Sequence, residues 1–177
     1  MKNFLTLANS LSIFRLVIAP ILVWMILSNR WAAASMFLIL AIFSDILDGR
    51  IARKKKQESA FGGLLDHSCD AFLVVILLFA LNNTHNIPIL LPLLVIVSFS
   101  QYVLDSKALS GHKLRTSFLG RSNGVAYYIL VSICIFSEGL GIDLPYSLFI
   151  ACAWILITST IISISERLWT LLNKLKK

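Results

Sequence analysis

Asp45-Ile46-Leu47-Asp48-Gly49-Arg50-Ile51-Ala52-Arg53 closes one apolar run, Lys54-Lys55-Lys56 follows it, and Gly62-Gly63-Leu64-Leu65-Asp66-His67-Ser68-Cys69-Asp70 opens the next. The run before this stretch stays apolar from Ala32 to Phe43, and the run after it extends to Leu81. Two such runs joined by a short cationic turn read as a helical hairpin. Residues three or four apart share one face of a helix. Asp45 and Asp48 are therefore paired on the first arm, and Asp66 and Asp70 on the second. The hairpin brings both pairs to the same end.

Outward from the hairpin the pattern repeats. Apolar spans run about Ser10 to Leu27, Pro88 to Leu104, Gly124 to Phe136 and Tyr146 to Ile164. Spans of about 20 residues cross a bilayer as helices. The chain has 177 residues, 58% of them hydrophobic and 14% charged, against roughly 25% charged in a soluble domain. Mean hydropathy is +0.83. The expected fold is an all-α polytopic membrane protein with six transmembrane helices, a short N-terminal interfacial segment over Met1 to Asn9, and a single domain over 1–177. Leu11 to Leu27 lacks a small-residue cleavage site, and Arg15 and Pro20 interrupt it, so it reads as a mature span. Cys69, Cys134 and Cys152 match no zinc spacing and read as small buried hydrophobes.

The net charge of +7 would suggest nucleic acid in a soluble chain. Here it follows topology, and no nucleic-acid partner is expected. Of the 16 Lys and Arg, 14 fall on one side of the spans, Arg15 lies within the first span, and Arg30 alone falls on the other side, beside Glu138 and Asp143. The positive-inside rule then puts both termini and the acidic end of the hairpin in the cytoplasm. The expected location is the inner or cell membrane if the chain is bacterial.

Carboxylates gathered in a poorly hydrated site must take up protons or bind cations. All-oxygen ligation selects hard ions, Mg²⁺ or Mn²⁺, and two ions would neutralise Asp45, Asp48, Asp66 and Asp70 and clamp a phosphoryl group. Gly49, Ala52 and Gly62 leave space beside the acids, and Arg53 offers a fork of donors for phosphate oxygens. One lone acid near a span end reads as a cap or a solvated charge. Four in register inside a membrane segment read as a functional site.

These residues spell D-x2-D-G-x2-A-R-x8-G-x3-D-x3-D, which resembles the signature of the CDP-alcohol phosphatidyltransferases at all eight fixed positions. The resemblance implies that Asp45, Asp48, Asp66 and Asp70 hold two divalent ions and that Asp70 is the general base. It implies contacts to the CDP moiety from Gly49, Arg53 and Ser59. Asn9 and Ser12, then Arg15 and Pro20, resemble the family's segment leading into the first span. The implied reaction moves a phosphatidyl or phosphoalcohol group from a CDP-linked donor such as CDP-diacylglycerol to an acceptor alcohol, with release of CMP. A homodimer among membrane lipids is implied by the resemblance alone.

The acceptor stays open. Lys107, Lys113, Arg115 and Arg121 form a basic loop that serves topology or an anion pocket, with Arg121 favoured because Gly120-Arg121 opens span five. Tyr102 to Lys107 departs from the pattern of members that use glycerol phosphate. Asp66-His67-Ser68-Cys69-Asp70 resembles the choline and ethanolamine phosphotransferase branch. His67 reads as a helix-start residue, His85 and His112 as solvated loop residues, and Trp24, Trp31, Trp154 and Trp169 as interfacial or lipid-facing aromatics. The competing class is a divalent-cation transporter or channel built on the same acids, but transporters hold such acids near the midplane on broken helices. Under the expected topology, single cysteines placed at Lys54 to Lys56 react with a membrane-impermeant thiol reagent only after the cytoplasmic side is opened to it.

Overall fold

The computed structural model describes residues 7–54, 60–105 and 117–175, with side chains over 12–47, 62–105 and 117–173. These form six α-helices: α1 (Leu7–Leu27), α2 (Trp31–Lys54), α3 (Ala60–His85), α4 (Leu90–Asp105), α5 (Phe118–Gly139) and α6 (Tyr146–Leu175). Three stretches are long and apolar enough to cross a membrane: Gly62–His85, Phe118–Gly139 and Tyr146–Asn173. Ser12–Leu27, Trp31–Leu47 and Leu90–Asp105 are shorter apolar helices. The fold is therefore all-α, as the hydropathy pattern implies.

Burial is arranged for an apolar solvent. Val17, Met36, Phe43, Ile155 and Ile162 are exposed, while Ser12, Arg15, Asn123, Thr160, Ser163 and Arg167 are buried. Hydrocarbon cannot satisfy polar groups, so they turn inward. At the centre lies α3, packed on α1, α4 and α5. Its Leu73, Leu77, Leu78 and Leu81 meet a core that includes Leu22, Leu38, Ile135 and Ile157. Against α2 and α3 packs α1, α5 joins α2 to α6, and α4 lies on α3 and α6.

Helix ends follow local chemistry. Asn29 (φ 55°) and Asn86 (φ 54°) take left-handed conformations just past α1 and α3, which asparagine tolerates better than most residues. Asn82 to His85 were expected in a turn, yet they extend α3. Asn83 Nδ2 donates to the Phe79 carbonyl at 3.1 Å and Thr84 Oγ1 to that of Ala80 at 3.4 Å, so these polar side chains bond back onto the helix. Ser117 caps α5 by accepting from Gly120 N at 3.1 Å, which starts the helix at Phe118 rather than Gly124. The last helix continues past Ile164 to Leu175.

His85 corrects a second expectation. It has no exposed surface. Its Nε2 lies 3.3 Å from Glu138 Oε1 and its Nδ1 2.9 Å from Thr84 Oγ1. The rings of Trp31, Tyr146 and Phe149 surround it at 5.2, 4.8 and 5.6 Å. Trp31 is thus half-buried against His85 rather than lipid-facing, whereas Trp24, Trp154 and Trp169 are exposed as expected. A buried imidazole needs partners, and Glu138 with Thr84 supplies them where α2, α3, α5 and α6 meet.

At that corner α2 and α5 approach closely. A Cβ on Gly139 would lie 2.0 Å from Ser35 Oγ and 3.0 Å from the Trp31 carbonyl oxygen. Backbone cannot move aside as a side chain can, so Gly139→Ala is expected to cost about 1–3 kcal/mol and to lower the thermal unfolding midpoint in detergent.

Candidate active site

The acids gather at the other end of the bundle. Asp45 projects from α2, and Asp66 and Asp70 from successive turns of α3. Each offers a carboxylate oxygen lying within 4.8 Å of the others. Their side chains are part-exposed, 46%, 30% and 34%, so the group opens to a cavity. Three close carboxylates form an all-oxygen donor set that fits a hard divalent cation.

Arg15 enters the cluster from α1. Its side chain has no exposed surface. Nη1 donates to Asp45 Oδ1 at 2.6 Å and also to Asp70 Oδ1, and Nη2 donates to Asp66 Oδ1. Ser12, one turn earlier, donates to Asp66 Oδ1 and accepts from Arg15 Nη2, each at 3.2 Å. One guanidinium therefore ties three helices together through their acids.

A cavity of ≈ 660 Å³ opens beside the cluster, and its lining includes Asp45 and Asp70 together with Arg121 and Arg167. Tyr128 of α5 and His67 of α3 stand in its wall. The His67 Nδ1 lies 3.7 Å from Asp66 Oδ2, and its ring stacks on Tyr102 at 6.3 Å and 17°. Arg167 sits over the Tyr102 ring at 5.1 Å and donates from Nη2 to Ser117 Oγ at 3.2 Å. It is 7% exposed, and its Nε and Nη1 have no hydrogen-bond partner among the described residues. Buried guanidinium donors left open in this way suit an anionic ligand. Gly120 makes room for it, since a Cβ there would lie 3.0 Å from Arg167 Nη2.

Of the residues singled out in the sequence, Asp45, Asp66 and Asp70 converge, and Arg121 shares their cavity. Gly62 lies one turn before Asp66 on α3. Asn9 stands on α1 and Asp48, Gly49, Ala52 and Arg53 on the last turns of α2, with side chains outside the described residues. Ser59, Lys113 and Arg115 lie outside the described residues altogether, as does His112. Sequence reasoning missed Tyr128 and Arg167 as cavity groups and Arg15 as a partner of the acids. Arg15 carried a signal, being a full charge inside an apolar run. Arg167 carried another, because Thr160, Ser163 and Arg167 continue one buried polar face of α6 past the expected end of that span.

Known proteins sharpen the picture. The family profile for CDP-alcohol phosphatidyltransferase matches residues 5–164. A cardiolipin synthase (CMP-forming) of Streptomyces coelicolor is 29% identical over 77% of this chain and 68% of its own length. A CDP-diacylglycerol–glycerol-3-phosphate 3-phosphatidyltransferase of Cereibacter sphaeroides is 30% identical over 76% of this chain and 65% of its own. A chloroplastic enzyme of that same name from Oryza sativa is 27% identical over 92% of this chain and 56% of its own. The transporter reading finds no support in these matches. With its acids on α2 and α3 in register and the family profile running nearly the whole length, this chain belongs to the CDP-alcohol phosphatidyltransferase family.

Proposed function

We propose that this chain transfers a phosphatidyl group from a CDP-linked lipid donor such as CDP-diacylglycerol to an alcohol that itself carries an anionic group, with release of CMP. The observation that carries this reading is a single cavity lined both by the acids Asp45 and Asp70 of α2 and α3 and by the arginines Arg121 and Arg167 of α5 and α6. Asp45, Asp66 and Asp70, joined by Asp48, are the proposed ligands of two Mg²⁺ or Mn²⁺ ions. Once bound, such ions supply neutralisation of the donor diphosphate and of charge developing on its oxygens. Gly49, Ala52, Arg53, Ser59, Gly62 and Asn9 are assigned to the CDP moiety by their positions in the motif and in the segment leading into α1.

Asp70 faces the cavity and is assigned the proton of the acceptor hydroxyl. The freed oxygen attacks the lipid-side phosphorus of the donor, the bond from that phosphorus to the CMP oxygen breaks, and CMP departs with the bonding pair. Arg167 and Arg121 orient the acceptor by its anion, and Tyr128 and His67 close the wall between the two substrates. The glycerol 3-phosphate in the names of two relatives is an acceptor of this chemical class. The six-span topology with cytoplasmic termini, a cytoplasmic-facing cavity and a homodimer complete the reading. The membrane setting is supported by three long apolar helices and three shorter ones, the cytoplasmic side by the partition of Lys and Arg, and the homodimer by the family likeness alone.

The deciding assay is CMP release by the purified chain from CDP-diacylglycerol with Mg²⁺, run with glycerol 3-phosphate, a free polyol and diacylglycerol as acceptors. Turnover only with uncharged acceptors would refute the anionic-acceptor assignment. Asp70→Asn is expected to lower CMP release about 10²–10⁴-fold, with donor binding retained; near wild-type turnover would remove Asp70 as base. Arg167→Met removes a charge-assisted contact worth about 1.5–3 kcal/mol. It should raise the KM for the anionic acceptor by about tenfold or more while leaving that for the donor nearly unchanged.

A further inference from the structure

Arg15 is placed where a bundle of this kind can least tolerate an idle charge. Its guanidinium has no exposed surface, and burying an ion is costly unless it is paired. One carboxylate would satisfy that need. Arg15 instead takes Oδ1 of Asp45, Asp66 and Asp70 together. Those three residues are the ones whose ligand atoms lie within 4.8 Å of one another.

We propose that Arg15 is a resident counter-ion that competes with divalent cations for the Asp45–Asp66–Asp70 cluster and thereby sets how tightly the centre holds metal. This rests on the metal reading given above. The guanidinium cancels one unit of the negative charge that the carboxylates bring to the site. An ion seated on the cluster lies a few ångströms from that guanidinium, whichever carboxylate oxygens it takes. Repulsion between like charges at such range is strong in a poorly hydrated site. Arg15 therefore weakens metal binding while it prevents the carboxylates from repelling one another. Ser12, bonded to both Arg15 and Asp66, holds the guanidinium in line between α1 and α3. The weakened affinity has a chemical use. Metal would be held firmly when the donor diphosphate adds its own negative charge, so loading of metal and of donor would be coupled.

The test uses Mn²⁺ as the probe and the full chain in detergent. Free Mn²⁺ is measured by electron paramagnetic resonance for wild type, Arg15→Met, Arg15→Gln and Arg15→Lys, and thermal unfolding is followed in EDTA and in Mn²⁺. Both neutral variants are expected to bind Mn²⁺ about tenfold or more tightly than wild type. Their unfolding midpoint should fall in EDTA and recover with Mn²⁺ by more than that of wild type, with Arg15→Lys close to wild type in both measurements. Arg15→Gln keeps hydrogen-bond donors and gives the binding constant should Arg15→Met fail to fold. Binding no tighter than wild type in the neutral variants overturns the inference and leaves the metal reading standing. A wild-type chain that binds no Mn²⁺, with or without CDP-diacylglycerol, overturns both.

Discussion

Charge neutrality inside an apolar bundle is the constraint from which the rest of this structure follows. Asp45, Asp66 and Asp70 cannot stand together in a medium of low polarity without cations. Arg15 from α1 supplies one, which explains why α1 packs on both α2 and α3. The hairpin alone would bring the acids together and leave their repulsion unanswered. With α1 in place, a cluster that would force the helices apart becomes a tie between them. The chemistry proposed for the site and the stability of that end of the fold therefore draw on the same charges.

The opposite end solves the same problem with a different outcome. His85, Glu138, Thr84 and Tyr146 satisfy one another among aromatic rings, and Gly139 lets α2 approach α5. The polar corner is closed by its own partners and fixes helix ends. Between the two corners, Leu22, Leu38, Leu77 and Ile135 fill the bundle. A well-packed distal corner matters for the site, because a lever of about four or five helical turns would magnify any slack there into misplacement of the carboxylates.

Much of this was legible in the sequence where a local rule governs. Helical spacing placed Asp66 and Asp70 on one face, and the hairpin placed Asp45 beside them. Hydropathy located all six helices, though it started α5 late, at Gly124 instead of Phe118, and ended α6 early, at the last strongly apolar residue. What stayed hidden depends on pairing across helices. Arg15 reads as an interruption until its three partners are known. Arg167 reads as part of a basic tail until α6 is seen to continue and to lay its guanidinium over Tyr102. His85 looks like a loop residue because nothing in Asn82 to Asn86 announces that Glu138, more than fifty residues later, will face it. Long-range pairs of this kind are set by tertiary packing, and a one-dimensional pattern does not encode which charge meets which.

The lining of the cavity divides the electrostatic labour between helices that are distant in sequence. The α2–α3 hairpin carries the acids, and α5 with α6 carries the arginines. A reaction between two anionic substrates must overcome their mutual repulsion before any bond forms. In the proposed reaction the two kinds of charge in one lining would bind each anion separately, the donor diphosphate through cations held by the carboxylates and the acceptor anion through the arginines. Hydroxyl and phosphorus would then meet next to Asp70. In that proposed reading Arg167, buried with two donor atoms open among the described residues, is the contact by which the acceptor would be selected, and its replacement would leave the acids of α2 and α3 in place.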